Sequence, residues 1–144
     1  MADPDTLRRN VEAMHTRLIA GGETDLAAEL VHPEFINHEA DPERSRGPEG
    51  AAATSAWLRR CFGELSFEVH HVIVQGDLVA AHMTMHGTHE GGLPPGLPGT
   101  HKPFSARHVH IYRFADDGRA TEHWAVRDDL GAMMQIGAIP GAPA

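Results

Sequence analysis

The sequence predicts a segregated α+β domain, and three observations carry that prediction. Apolar residues recur at helical spacing through the N-terminal third. From Ser66 onward the rhythm changes to the two-residue alternation of strands. The chain then closes on a strand pair whose alternating positions carry titratable side chains. Helices first and long antiparallel strands afterwards is the order that separates the two kinds of structure into layers.

Asp3-Pro4 opens the first helix, because Asp suits the N-cap and Pro suits the first helical position. Leu7, Val11, Met14 and Leu18 form its apolar face, and Gly21-Gly22 ends it. Thr24 to Leu30 reads as a second, short helix that stops before Pro33. Glu34 to His38 reads as a short extended or turn segment, and Asp41 to Arg46 as a polar loop. Gly47-Pro48-Glu49 opens a third helix that runs through Trp57 and Leu58 to Phe62.

Phe67 to Val74 is rich in β-formers, Gly76-Asp77 makes a tight turn, and Leu78 to Thr88 reads as a long second strand. Gly91 to Pro103 holds Pro94, Pro95 and Pro98 with Gly92, Gly96 and Gly99, so it reads as a loop of flap type. Arg107–Arg113 and Glu122–Gly131 are the closing strands, joined by an Ala115–Gly118 turn. Leu130 to Ile136 suggests a last turn of helix, and Pro140 to Ala144 a frayed end.

At 144 residues, one domain spanning 1–144 is the simplest organisation. The formal charge of −8 argues against a nucleic-acid partner, which needs a clustered basic surface. No apolar run is long enough to span a bilayer and the N-terminus has no signal-peptide pattern, so no membrane partner is expected and the cytoplasm is the default compartment. Cys61 is the only cysteine, which rules out an intrachain disulfide, and it reads as a buried helical thiol.

His108, His110, His123, Asp128 and Asp129 lie on the closing strands, a concentration that suggests acid–base chemistry. Side chains two apart share a face, so His108, His110 and Tyr112 belong together. So do His123, Ala125, Arg127 and, if the strand continues, Asp129. His108-x-His110 has the spacing of a cupin metal site, but no Glu follows within a few residues and the helical first half is wrong for a jelly roll. His86 and His89, three apart on a strand, point to opposite faces, so no metal is expected. The bland readings stand beside these: an interior histidine can be merely satisfied, Asn37 can brace a turn, and Trp57 and Trp124 can be packing residues.

Val31-His-Pro-Glu-Phe-Ile-Asn37, Gly87-Thr-His89, Pro94-Pro95, Val109-His-Ile-Tyr-Arg113, Gly118, Glu122-His123 and Met134-Gln-Ile-Gly137 together resemble the SnoaL-like polyketide cyclases of the nuclear transport factor 2-like superfamily. The resemblance implies a cone-shaped α+β barrel, its curved antiparallel sheet packed around the N-terminal helices and enclosing an apolar pocket. It also implies a homodimer acting on a small, apolar or aromatic substrate by intramolecular aldol chemistry or a related isomerase-type proton transfer, with no metal and no cofactor.

In the family, an Asp on the last strand serves as base, supported by a His and an Asn. His110 matches that histidine and Asn37 that asparagine, while Met14 falls where the first helix lines the pocket. The aspartate's position is occupied by Ala125. The expected replacement group is His110 and His123 with Asp129, and substrate contacts are expected from Asn37, Met14, His108, Trp124 and Arg127. A non-catalytic small-molecule-binding protein of the same fold is the alternative that Ala125 leaves open.

Overall fold

The computed structural model of the chain describes residues 1–140, and the last four positions expected to fray lie outside them. Helix α1 (Pro4–Ala13) begins on the Asp3 cap, whose Oδ1 accepts the Asp5 and Thr6 amides at 3.0 and 3.2 Å. It does not end at Ala13. The backbone widens into a π turn over Met14–Ile19, closed by the Ala20 amide donating to the His15 carbonyl at 3.0 Å. The wider turn carries Met14, His15, Leu18 and Ile19, all four of them buried.

A 3₁₀ turn at Thr24–Leu26 leads into α2 (Ala27–Leu30), and then directly into strand β1 (Val31–Asn37). β1 is longer than the extended piece expected from Glu34. Pro33 is tolerated in it because β1 is an edge strand whose pairing is irregular between Val31 and Ile36.

Helix α3 (Gly47–Cys61) is followed without a loop by β2 (Phe62–Gln75). Cys61 is buried at the junction, as expected for a helical thiol, and burial pushes its pKa up. The expected helix runs one residue too far and the expected strand starts five residues late. The break in pairing between Gly63 and Ser66, with Glu64 at φ 51°, hides the early part of β2 from any alternation test.

Strands β3 (Leu78–His89), β4 (Pro103–Phe114) and β5 (Ala120–Arg127) complete one sheet in the order β1-β5-β4-β3-β2. The α+β class holds, with two corrections to the expected barrel. The sheet is open, and it is mixed, because β1 pairs parallel to β5. A chain that reaches β1 from the helical layer and leaves through α3 has no tight hairpin to force antiparallel pairing there. β5 stops at Arg127, where Asp128 turns to cap helix α4 (Asp129–Gln135) by accepting the Gly131 amide at 2.9 Å.

Two apolar clusters stabilise this arrangement. Leu7, Val11, Leu18, Val31, Val79 and Met83 join the helices to one half of the sheet. Phe62, Met85, Phe104, Ala106, Ala132 and Ile136 close the other half beneath α4. The π turn is tied to α3 by the fully buried Ser55, whose hydroxyl lies 2.8 and 2.9 Å from the carbonyls of Leu18 and Ile19. These are carbonyls that the altered helical ladder leaves short of partners. Replacing Ser55 by Ala removes the single hydroxyl proton these two carbonyls share in the interior and is expected to lower stability by about 1–3 kcal/mol, measured as a reduced urea midpoint with an unchanged slope.

Candidate active site

The two apolar clusters do not meet completely, and a cavity of about 440 Å³ lies between them. Its apolar wall includes Phe35, Trp57, Phe62, Phe67 and Phe104, and the loop after β3 adds Leu93, Pro94 and Pro95. That loop, expected as a flap, is fastened by the fully buried His89. His89 Nδ1 accepts the Thr100 amide at 3.0 Å, and its Nε2 donates to the Leu93 carbonyl at 2.7 Å.

The polar wall comes from β4 and β5. Along β4 the buried positions are Phe104, Ala106, His108, His110, Tyr112 and Phe114, so both imidazoles occupy places in an apolar row. In the β4–β5 register His108 faces Arg127, His110 faces Ala125 and Tyr112 faces His123. The parallel pairing of β1 sets Asn37 beside His123.

Buried imidazoles must find partners, and here they find one another. His108 Nδ1 lies 3.1 Å from His110 Nε2, His110 Nδ1 lies 2.8 Å from His123 Nε2, and His123 Nδ1 lies 2.8 Å from Asn37 Oδ1. Asn37 Oδ1 also accepts the Glu39 amide at 3.0 Å, and Asn37 is itself one of the residues lining the cavity. Burial holds His110 well below its ordinary pKa and pushes His108 down to about 4 and His123 to about 3. The positive charge of Arg127 acts on all three in the same direction.

His15, from the π turn, completes the group. Its Nε2 is 2.8 Å from the Tyr112 hydroxyl, and its ring centre is 4.3 Å from that of His110. Its Nδ1 is sealed without a partner, and burial holds the ring well below its usual pKa. Burial likewise pushes the Tyr112 phenol well above its ordinary value, so it remains a hydroxyl donor.

The expected site residues divide as follows. Met14, Asn37, His108, His110, His123, Arg127 and Asp129 all line the cavity. Asp129 does so from the first turn of α4 rather than from a continuing strand, and it is exposed, 3.4 Å from Arg127 Nε. Trp124 does not reach the cavity. Strand alternation turns it to the opposite face, where it stacks on His38 at 5.0 Å, which corrects its expected place at a substrate. Ala125 shares the inner face with His110, His123 and Arg127. His15 was missed, although it stands four residues after Val11 on the same helical face and could have been picked out there. Arg44, stacked 3.9 Å over Trp57 at the cavity wall, carried no such signal.

Fold and cavity define the class: a pocketed α+β domain of the nuclear transport factor 2-like type, with acid–base side chains at one end of an aromatic-walled cavity. The sequence profile of the SnoaL-like polyketide cyclases matches residues 9–136, and the chain belongs to that family. It is 37% identical over 140 residues to the aklanonic acid methyl ester cyclase DnrD of Streptomyces peucetius, covering 92% of this chain and 89% of that protein. It is 33% identical over 119 residues to the nogalonic acid methyl ester cyclase of Streptomyces nogalater, covering 81% and 87%. TsrD from Streptomyces laurentii has a similar structure, with a TM-score of 0.86 at 27% identity over 96% of this chain and all of that one.

The buried imidazoles bind protons more weakly folded than unfolded, so protons favour the unfolded chain. Their contribution to stability is complete above the unfolded histidine pKa near 6.5 and is lost as the pH falls toward the folded values of about 4 and 3. Lowering the pH from 7 to 4.5 is expected to reduce the Tm by about 10 °C. Replacing His108 by Asn should shrink that decrease in calorimetric scans.

Proposed function

We propose that this chain is a cyclase that closes a ring in an aromatic polyketide ester by intramolecular aldol chemistry, using imidazole in place of a carboxylate and no metal or cofactor. The observation that carries this reading is the linked His108–His110–His123–Asn37 group set into the wall of an otherwise aromatic cavity. Burial keeps these imidazoles neutral at pH 7, the form a general base requires. Arg127, which faces His108 across the β4–β5 register and lines the cavity, supplies hydrogen-bond donors for the enolate oxygen that forms when the proton leaves. The flat walls of Phe35, Trp57, Phe67 and Phe104 suit fused or linked aromatic rings. Relatives named for cyclising aklanonic acid methyl ester and nogalonic acid methyl ester support the same substrate class.

The proposal includes a cytoplasmic homodimer. Ile73, Ala80, Ile111 and Trp124 form one cross-strand row on the outer face of the sheet, and Val109 and Val126 lie opposite each other in the next. Ile73 is 65% exposed and Val126 75%, an apolar face suited to a second copy of the chain. Replacing both residues by Lys is expected to yield a monomer in sedimentation velocity where the unaltered chain sediments as a dimer.

Incubation of the purified protein with aklanonic acid methyl ester or nogalonic acid methyl ester tests the reaction. An intramolecular aldol addition leaves the mass unchanged, so the expected result is a chromatographically distinct isomer. Tight binding of both esters with no isomer formed would establish the non-catalytic binding protein that Ala125 left open.

A further inference from the structure

Within the cyclase reading, on which this inference rests, the hydrogen-bond directions single out one reacting atom. The Glu39 amide can only donate, so the atom of Asn37 that it meets at 3.0 Å is the carbonyl oxygen. That oxygen can only accept from His123, so His123 Nδ1 carries its proton. In the neutral ring the His123 Nε2 is then a lone pair, and His110 must donate to it from Nδ1. The same step repeated makes His110 Nε2 a lone pair, and His108 must donate to it from Nδ1.

The sequence of constraints ends at His108 Nε2. That atom has no protein partner among the described residues and is not among the sealed polar atoms, and His108 lines the cavity from the inner, buried row of β4. His110, by contrast, has both nitrogens occupied by neighbouring rings.

We propose that His108 Nε2 is the base of the reaction, and that His110, His123 and Asn37 are positioning residues that fix its tautomer from behind. In the step that follows, a C–H bond flanked by carbonyls breaks and its electron pair becomes an enolate. The proton bonds to His108 Nε2. The enolate carbon attacks the acceptor carbonyl, a C–C bond forms, and the carbonyl π pair becomes an alkoxide. That alkoxide takes the proton back from Nε2, so the imidazole ends neutral and nothing is consumed.

The surroundings agree with the assignment. His108 faces Arg127 from β5, with Asp128 and Asp129 at the start of α4, His15 from the π turn, and His110 and His123 behind it. Of the three linked rings, only His108 has its basicity supported by carboxylates, those of Asp128 and Asp129, whereas His110 is opposed by three neighbouring imidazoles. A proton taken from substrate is therefore best held at the cavity end of the row.

Two measurements on the full chain test this. Long-range ¹H–¹⁵N spectra of the imidazole rings at pH 7 need no substrate. They are expected to show His108, His110 and His123 neutral with the proton on Nδ1, and in His110→Asn the His108 ring should gain Nε2–H tautomer as its acceptor is lost. An Nε2–H or cationic His108 in the unaltered protein would overturn the proposal.

The second measurement is steady-state kinetics on whichever methyl ester the unaltered protein cyclises. In His108→Asn an amide N–H takes the place of Nδ1–H and the rest of the row keeps its direction. That variant is expected to lose about 100-fold or more in kcat with KM within about threefold, and to lose the acid limb of the pH profile. His110→Asn, which keeps the reacting atom, is expected to lose about tenfold and to retain that limb. If His108→Asn stays within about threefold of the unaltered rate while His110→Asn abolishes turnover, His110 is the base and the proposal fails. Absence of any turnover by the unaltered protein overturns the cyclase reading instead, and the spectra still decide whether the row is ordered as described.

Discussion

The hydrogen bond between the Asn37 carboxamide and His123 is the constraint on which the interior depends. It joins β1, an edge strand, to β5, and it exists because parallel pairing brings those two residues side by side. The β4–β5 register then sets the rest, with Tyr112 against His123, His110 against Ala125 and His108 against Arg127. A one-residue slip of β4 would turn His108 and His110 to the outer face and bring Val109 and Ile111 inward, and a slip of β5 would exchange His123 for Trp124. Either slip would break the row of linked imidazoles. The register therefore selects the site as well as the packing.

Placing polar rings in a core row has a cost that must be met locally. An unpaired buried imidazole loses of the order of 1–3 kcal/mol, so three unpaired rings would cancel much of a domain's net stability of about 5–15 kcal/mol. Pairing in series avoids this, because each ring satisfies one nitrogen of the next and only the two ends need outside groups. Asn37 serves one end and the cavity the other. His15 is the exception, with Nδ1 sealed and unmatched, and it is held there by the π turn that Ser55 braces from α3. Distortion in the helix and an unsatisfied ring occur at the same place. That coincidence is expected where local stability has been exchanged for a side chain at a site.

Much of this was legible in the sequence, for physical reasons that can be stated. Asp3-Pro4, Gly47-Pro48 and the alternation of β3 and β4 report on local preferences, and local preferences prevailed. Asn37, His108, His110, His123 and Arg127 were recognisable from residue type, face and resemblance, and they line one cavity. The parallel partner of β1 was not legible, since long-range pairing leaves no mark in a seven-residue strand. The π turn was equally silent, because one extra residue in a helical turn blurs the period that would reveal it. For Trp124 residue type left packing and substrate contact both open, and strand alternation decides between them by placing it opposite His123 and Ala125.

Replacing a carboxylate by imidazole changes the electrostatics of the proposed reaction. A carboxylate base starts charged and becomes neutral as the enolate forms, so the charge moves across the site. An imidazole base starts neutral, and proton transfer creates an ion pair with the enolate. The depressed pKa of His108, about 4 rather than 6.5, corresponds to about 3 kcal/mol of lost proton affinity. Opposite charges 4 Å apart attract by about 4 kcal/mol at the effective dielectric of a protein site. The attraction arises only when both charges exist, so it acts in the transition state and leaves the resting site unchanged. The two magnitudes are close enough that a buried, weakly basic histidine is a serviceable base for an acidic C–H flanked by carbonyls. For a C–H activated by a single carbonyl it would be a poor one. The aromatic cavity and the neutral imidazole row therefore point to the same kind of substrate: a flat molecule whose reacting carbon is already activated on both sides.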